Sequence, residues 1–175
     1  MAESGQSSLV EVVVLSPTVH ESVGILNPGH IALSIDEKIY NYGRYWGAFL
    51  TKPWSGAGVL IVESKKCYIS SNLVKRGWIY GFAMAGVDVA AMQAELSRLW
   101  FTGTPSKEGK PGRQINDYLM TQNDCKQFVL GRLRVGGLEI PPYFEAMDYP
   151  EDTVKDMRAW HQSHPEIVTS EIRYR

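Results

Sequence analysis

Thr121-Gln122-Asn123-Asp124-Cys125-Lys126-Gln127-Phe128-Val129-Leu130 reads as the start of a helix with a cysteine on its first turn. Asn123 and Asp124 carry short side-chain oxygens that accept the unpaired N–H groups of such a turn. Phe128, Val129 and Leu133 follow at helical spacing, and Gly136-Gly137 supplies the stop. A thiol placed there lies in the positive field of the helix end, which favours thiolate and so a nucleophile. The competing assignment for such a cysteine is a small buried hydrophobe. A base elsewhere in the chain decides between them.

The candidate base stands upstream. Asn27-Pro28-Gly29 is a turn signal, and His30-Ile31-Ala32-Leu33-Ser34-Ile35, Asp36-Glu37 and Lys38-Ile39-Tyr40-Asn41-Tyr42-Gly43 follow it directly. Two β-rich runs around two polar residues predict a tight hairpin. With Asp36-Glu37 as the turn, Ile35 opposes Lys38 and Ala32 opposes Asn41. Residues two apart on a strand share a face, so His30 and Asn41 become diagonal neighbours on one side of the sheet. An imidazole held at its far nitrogen by an amide oxygen keeps the tautomer that a thiol needs. A turn one residue longer moves Asn41 to the other face and puts Tyr40 or Tyr42 in its place.

Around these two stretches the chain alternates. Residues 9–15 (LVEVVVL), 56–63 (GAGVLIVE) and 77–83 (GWIYGFA) predict strands, with a short one over 67–69 and a polar connection over 70–76. From Asp88 the period becomes helical, with Val89, Met92, Leu96 and Leu99 on one face to Phe101. Residues 102–112 (TGTPSKEGKPG) read as a loop, 138–150 as irregular and aromatic, and 151–161 as a last helix. The order predicts an α+β fold, a mostly antiparallel sheet packed against the helix that carries Cys125. Residues 1–8 are expected to form a disordered lead-in, and 9–175 a single domain with a C-terminal helical extension.

At 175 residues the chain is long enough to bury one core unaided. A net charge of -1 gives no bulk electrostatic case for nucleic acid or an anionic membrane. The two cysteines, Cys67 and Cys125, are expected to be reduced, since a domain of this size needs no staple. The first residues show neither a basic n-region nor a long apolar run, which predicts synthesis in the cytoplasm. His161 and His164 lack the further spaced ligands of a zinc site, so neither a metal nor a cofactor is expected. Tyr40, Tyr42 and Trp46 are candidates for lining a substrate cleft, with core filling as the other assignment.

The Gly-His-Ile-Ala-Leu strand, the hairpin return Tyr-Asn-Tyr-Gly and the late Asn-Asp-Cys-Lys-Gln-Phe-Val helix together resemble the circularly permuted papain-like cysteine hydrolases. These are relatives of the NlpC/P60 peptidases in which the histidine strand precedes the cysteine helix. The likeness spans roughly residues 23–135. It implies Cys125 as nucleophile, His30 as general base, Asn41 as third member, and the backbone N–H of Cys125 with Asn123 and Asp124 as oxyanion support. It further implies cleavage of an amide bond in a peptide or peptidoglycan-like substrate. A type VI effector leaving by a signal-independent route, with an immunity or secretion partner, is the setting it suggests. An acyl-lipid hydrolase on the same fold fits less well, because no second histidine stands near Asn41. The alternative of another class is a non-catalytic module that docks on a host or partner protein.

Overall fold

The computed structural model describes residues 8–20, 25–27, 29–43, 55–106, 111–119, 124–145 and 149–175. Five strands come first: β1 (Val10–Leu15), β2 (Thr18–His20), β3 (Ile25–Asn27), β4 (His30–Ile35) and β5 (Lys38–Gly43). Then follow β6 (Ser55–Ser64), α1 (Lys65–Leu73), β7 (Ile79–Met84), α2 (Val89–Thr102), β8 (Thr104–Pro105) and β9 (Gly112–Leu119). The chain closes with α3 (Cys125–Val135), a 3-10 turn at Pro142–Glu145, α4 (Pro150–Ser163) and β10 (Val168–Tyr174). Eight of the strands form one antiparallel sheet in the order β10-β7-β1-β4-β5-β6-β9-β8, and β2 pairs with β3 apart from it. The class is α+β with a mostly antiparallel sheet. Among the described residues no helix is long and apolar enough to cross a membrane.

Strand alternation divides the core into two layers. Val10, Val12 and Val14 of β1, with Ile31, Leu33 and Ile35 of β4, pack against Met92, Leu96, Phe128, Val129, Leu133, Met157 and Trp160 of α2, α3 and α4. Val13, Leu15, Ala32 and Ile39 point the other way, onto Tyr68 and Ile69 of α1. β1 is therefore buried throughout, which is why its sequence is a near-continuous run of valines. Glu11 is the exception on the α1 side. It is completely buried and is satisfied by Lys65 Nζ at 2.5 Å and by the Tyr174 hydroxyl, which donates at 2.6 Å.

The hairpin turns as expected, Ile35 opposite Lys38 with Asp36 at a positive φ of 52°, but its ladder stops at Leu33 opposite Tyr40, short of the expected Ala32–Asn41 pair. Residues 67–69, expected as a strand, and most of the connection after them are instead the helix α1. Ser64 caps it without a side-chain hydrogen bond and the helix has little apolar contrast, so its sequence carries a weak helical signal. Of the 102–112 loop, Thr104–Pro105 and Gly112 enter the sheet as β8 and the start of β9. The C-terminal region is not purely helical either. After α4 the chain returns as β10 beside β7. Most of the expected lead-in at residues 1–8 lies outside the described residues.

Candidate active site

Gly29 places His30. Its φ is +98°, and a Cβ on it would stand 2.6 Å from the Leu15 carbonyl oxygen and 2.8 Å from Pro150 Cγ. Only glycine takes that backbone without strain at so close an approach. His30 then opens β4 opposite Leu15. Its imidazole shares the α1 side of the sheet with Ala32, whose neighbours are Ile39 and Tyr68.

His30 Nε2 lies 2.5 Å from Asn41 Oδ1. An amide oxygen only accepts, so Nε2 carries the proton and Nδ1 presents a lone pair. No hydrogen bond engages Nδ1 among the described residues. Asn41 is itself buried and held in β5 opposite Ile61 of β6.

Cys125 is the first residue of α3. Asp124 caps that helix, its carboxylate accepting from the Gln127 N–H at 2.8 Å. The helix packs on the opposite side of the sheet from the imidazole, with Cys125 against the larger core. The two layers meet because the sheet opens between them. The β4–β5 ladder ends at Leu33 opposite Tyr40, so Ile31 does not pair with β5. The N–H of Ile31, the residue after His30, is directed instead at the Cys125 sulfur, together with those of Cys125 and Lys126. The charge of a Cys125 thiolate would reach Tyr42 on one side of the sheet and Tyr68 on the other. The sulfur thus meets the backbone of the residue next to His30. No hydrogen bond joins His30 to Cys125 among the described residues.

Both groups are shifted toward their neutral forms, against the thiolate that the helix end favours. Burial, then the neighbouring Asp124 carboxylate, push the Cys125 thiol up to about 12 despite the three N–H groups. Burial lowers His30 to about 4, opposed by Asn41 and helped by the Arg76 guanidinium. Both residues as a whole keep some exposed surface. The residue that caps α3 is therefore also the charge that works against ionising its first side chain.

The proposed cleft lining changes. Tyr42 is completely buried, stacked on Phe128 with ring centroids 4.9 Å apart, and its hydroxyl donates to Asn116 Oδ1 at 2.6 Å. It fixes α3 on the sheet and lines no cleft. Tyr40 is half-buried, while Asn123 and Trp46 lie outside the described residues. Cys67 and Cys125 are both free thiols, and Cys67 is exposed on α1. Among the described residues no group of three His, Cys, Asp or Glu is placed to hold a metal.

Sequence reasoning missed Tyr68, Asn72 and Arg76. They repeat every four residues along and just past α1, linked by the Asn72 side-chain nitrogen on the Tyr68 carbonyl at 2.9 Å and Arg76 Nε on Asn72 Oδ1 at 3.3 Å. That spacing was the available signal. Comparison with protein-family models, curated proteins and solved structures finds no match to this chain.

Proposed function

We propose that the protein is a cysteine hydrolase of amide bonds, on a permuted papain-like arrangement, with Cys125 as nucleophile, His30 as base and Asn41 as its orienter. The observation that carries this is the His30 Nε2–Asn41 Oδ1 contact, 2.5 Å long, on the residue before the one whose N–H faces the Cys125 sulfur. That contact leaves the lone pair of Nδ1 for the thiol proton.

Since burial shifts both groups toward their neutral forms, His30 acts as a general base during attack. Nδ1 takes the thiol proton as the sulfur–carbon bond forms and the carbonyl oxygen becomes an oxyanion. Helix-start N–H groups near Cys125 are the available donors to it, worth about 3–4 kcal/mol each in mutational terms. Collapse breaks the carbon–nitrogen bond, and His30 returns its proton to the leaving amine. Water then attacks the thioester, giving a proton to His30, and the sulfur–carbon bond breaks with the proton returned to sulfur.

Peptidoglycan stem peptides are the substrate we assign, with delivery as a type VI effector and an immunity protein as partner. Support for these comes from the resemblance of the Gly-His, Tyr-Asn-Tyr-Gly and Asn-Asp-Cys motifs. The test is release of new amino termini from purified sacculi by the wild type, Cys125→Ala and His30→Gln. Loss of release in both variants, each still folded, is the expected result. Equal release by Cys125→Ala and the wild type overturns the proposal. The neutral pair and the missing His30–Cys125 hydrogen bond favour one other reading, a docking module in which Cys125 is structural. It predicts no release by any of the three proteins.

A further inference from the structure

Arg76 lies at the His30 end of the sheet. Its Nη1 donates to the carbonyl of Ser16, which follows Leu15, the β1 residue opposite His30. Its Nε donates to Asn72 Oδ1. Both acceptors are neutral. A guanidinium has five N–H donors in a planar fork, so three remain.

Arg98 and Arg132 meet Glu95, Arg134 meets Glu145, and Arg158 meets Glu171. Arg76 meets no carboxylate among the described residues. It is nevertheless half-buried and so partly stripped of water. A partly desolvated cation without a counter-ion is costly to keep, and the anchors to Ser16 and Asn72 hold it in place. No hydrogen bond engages its Nη2 among the described residues, and the residue keeps part of its surface exposed. The charge is felt at the imidazole, which Arg76 helps to hold neutral.

We infer that Arg76 receives a carboxylate of the substrate beside the scissile bond, making this a site for anionic acyl donors. The inference rests on Cys125 and His30 being the reactive pair. A carboxylate matches the remaining fork in two parallel N–H···O bonds, whereas a neutral chain leaves the guanidinium unpaired. Such a substrate also screens Arg76 from His30, making the ring more basic as the thiol proton moves.

The test compares alkylation of Cys125 by iodoacetate and by iodoacetamide, in full-length protein carrying Cys67→Ser, with Arg76 intact and as Arg76→Met. The neutral reagent reports the thiol and its base, and the ratio of the two rates reports the anion site. Arg76→Met should lower the iodoacetate-to-iodoacetamide ratio about tenfold, the lower end of the scale for a hydrogen bond to a charged group. Iodoacetamide should still require His30. Raising salt from about 0.02 to 0.5 M should erode the preference in the protein with Arg76 intact, a check that needs no folded variant. A ratio unchanged by Arg76→Met and by salt, with iodoacetamide still His30-dependent, overturns the anion site alone. Iodoacetamide rates indifferent to His30 overturn the reactive pair and the anion site with it.

Discussion

Lowering the pH from 7.5 to 5 should weaken the fold through His30 specifically. Burial holds the folded-state imidazole at about 4, against 6.5 for the free side chain. Above 6.5 the ring is neutral in both states and contributes nothing to the balance. Between 6.5 and about 4 only the unfolded chain takes the proton, so stability is lost as pH falls through that window, and below it the loss is complete. Linkage puts the loss at about 2 kcal/mol by pH 5 and about 3 kcal/mol at the bottom. Urea unfolding of the wild type and His30→Gln at both pH values isolates the term, because the other titrating groups are common to the two proteins. The wild-type midpoint should fall by about 1 M more than that of the variant, given the m-values of small domains. The His30 ring should also remain neutral by NMR down to pH 5. An equal pH dependence in both proteins, or a ring that titrates near 6.5, refutes the reasoning.

Three further outcomes follow from contacts elsewhere. Gly58→Ala puts a Cβ 2.1 Å from the Tyr42 hydroxyl and 2.8 Å from Asn116 Oδ1, so unfolding should cost about 1–3 kcal/mol less; an unchanged melting temperature would show that Tyr42 does not depend on that gap. Asp124→Asn keeps an equally good cap while removing the carboxylate that raises the Cys125 thiol. Alkylation of Cys125 should speed up without loss of stability, and an unchanged rate denies the electrostatic role. Lys65→Met leaves the fully buried Glu11 with the Tyr174 hydroxyl but no cation, and should destabilise by about 3 kcal/mol in chemical denaturation. A loss below about 1 kcal/mol, the scale of an exposed pair, contradicts the buried description.

The two halves of the site differ in how much of them the sequence carries. The His30–Asn41 contact is legible because a two-residue turn between β-rich runs fixes register, and register fixes which side chains share a face. The Cys125 helix is legible because Asp124, Phe128, Val129 and Gly136 mark its start, face and end locally. The opening between β4 and β5 is not, since the sequence of Ile31 and Tyr42 is ordinary strand sequence and the gap arises where α3 lies against the sheet. The helix α1 was hidden for a different reason. Lys65-Lys66-Cys67-Tyr68-Ile69-Ser70 has few apolar residues at helical spacing, and the packing of Tyr68 and Ile69 against Ala32 and Leu15 holds it instead. Arg76 is illegible for the same reason, because a residue in a polar run gives no hint that it reaches the sheet end beside His30.

At Cys125 the helix end and burial act in opposite directions, and only the first is legible in the sequence. A helix end is worth about 0.3–1 kcal/mol to an adjacent anion, and about 2 kcal/mol at most in part-buried settings. Raising the thiol from 9.0 to about 12 corresponds to a net penalty of about 4 kcal/mol, after the three N–H groups have already acted. Desolvation together with the Asp124 carboxylate therefore outweighs the helix end. On the proposed mechanism, a thiol and imidazole shifted toward their neutral forms make no ion pair in advance, so the proton moves during attack. On that mechanism the same burial also strengthens any charge the substrate brings, and among the described residues no carboxylate pairs with Arg76 to offset it. On the proposed mechanism, reactivity therefore depends on the charge that the substrate brings to Arg76 and His30.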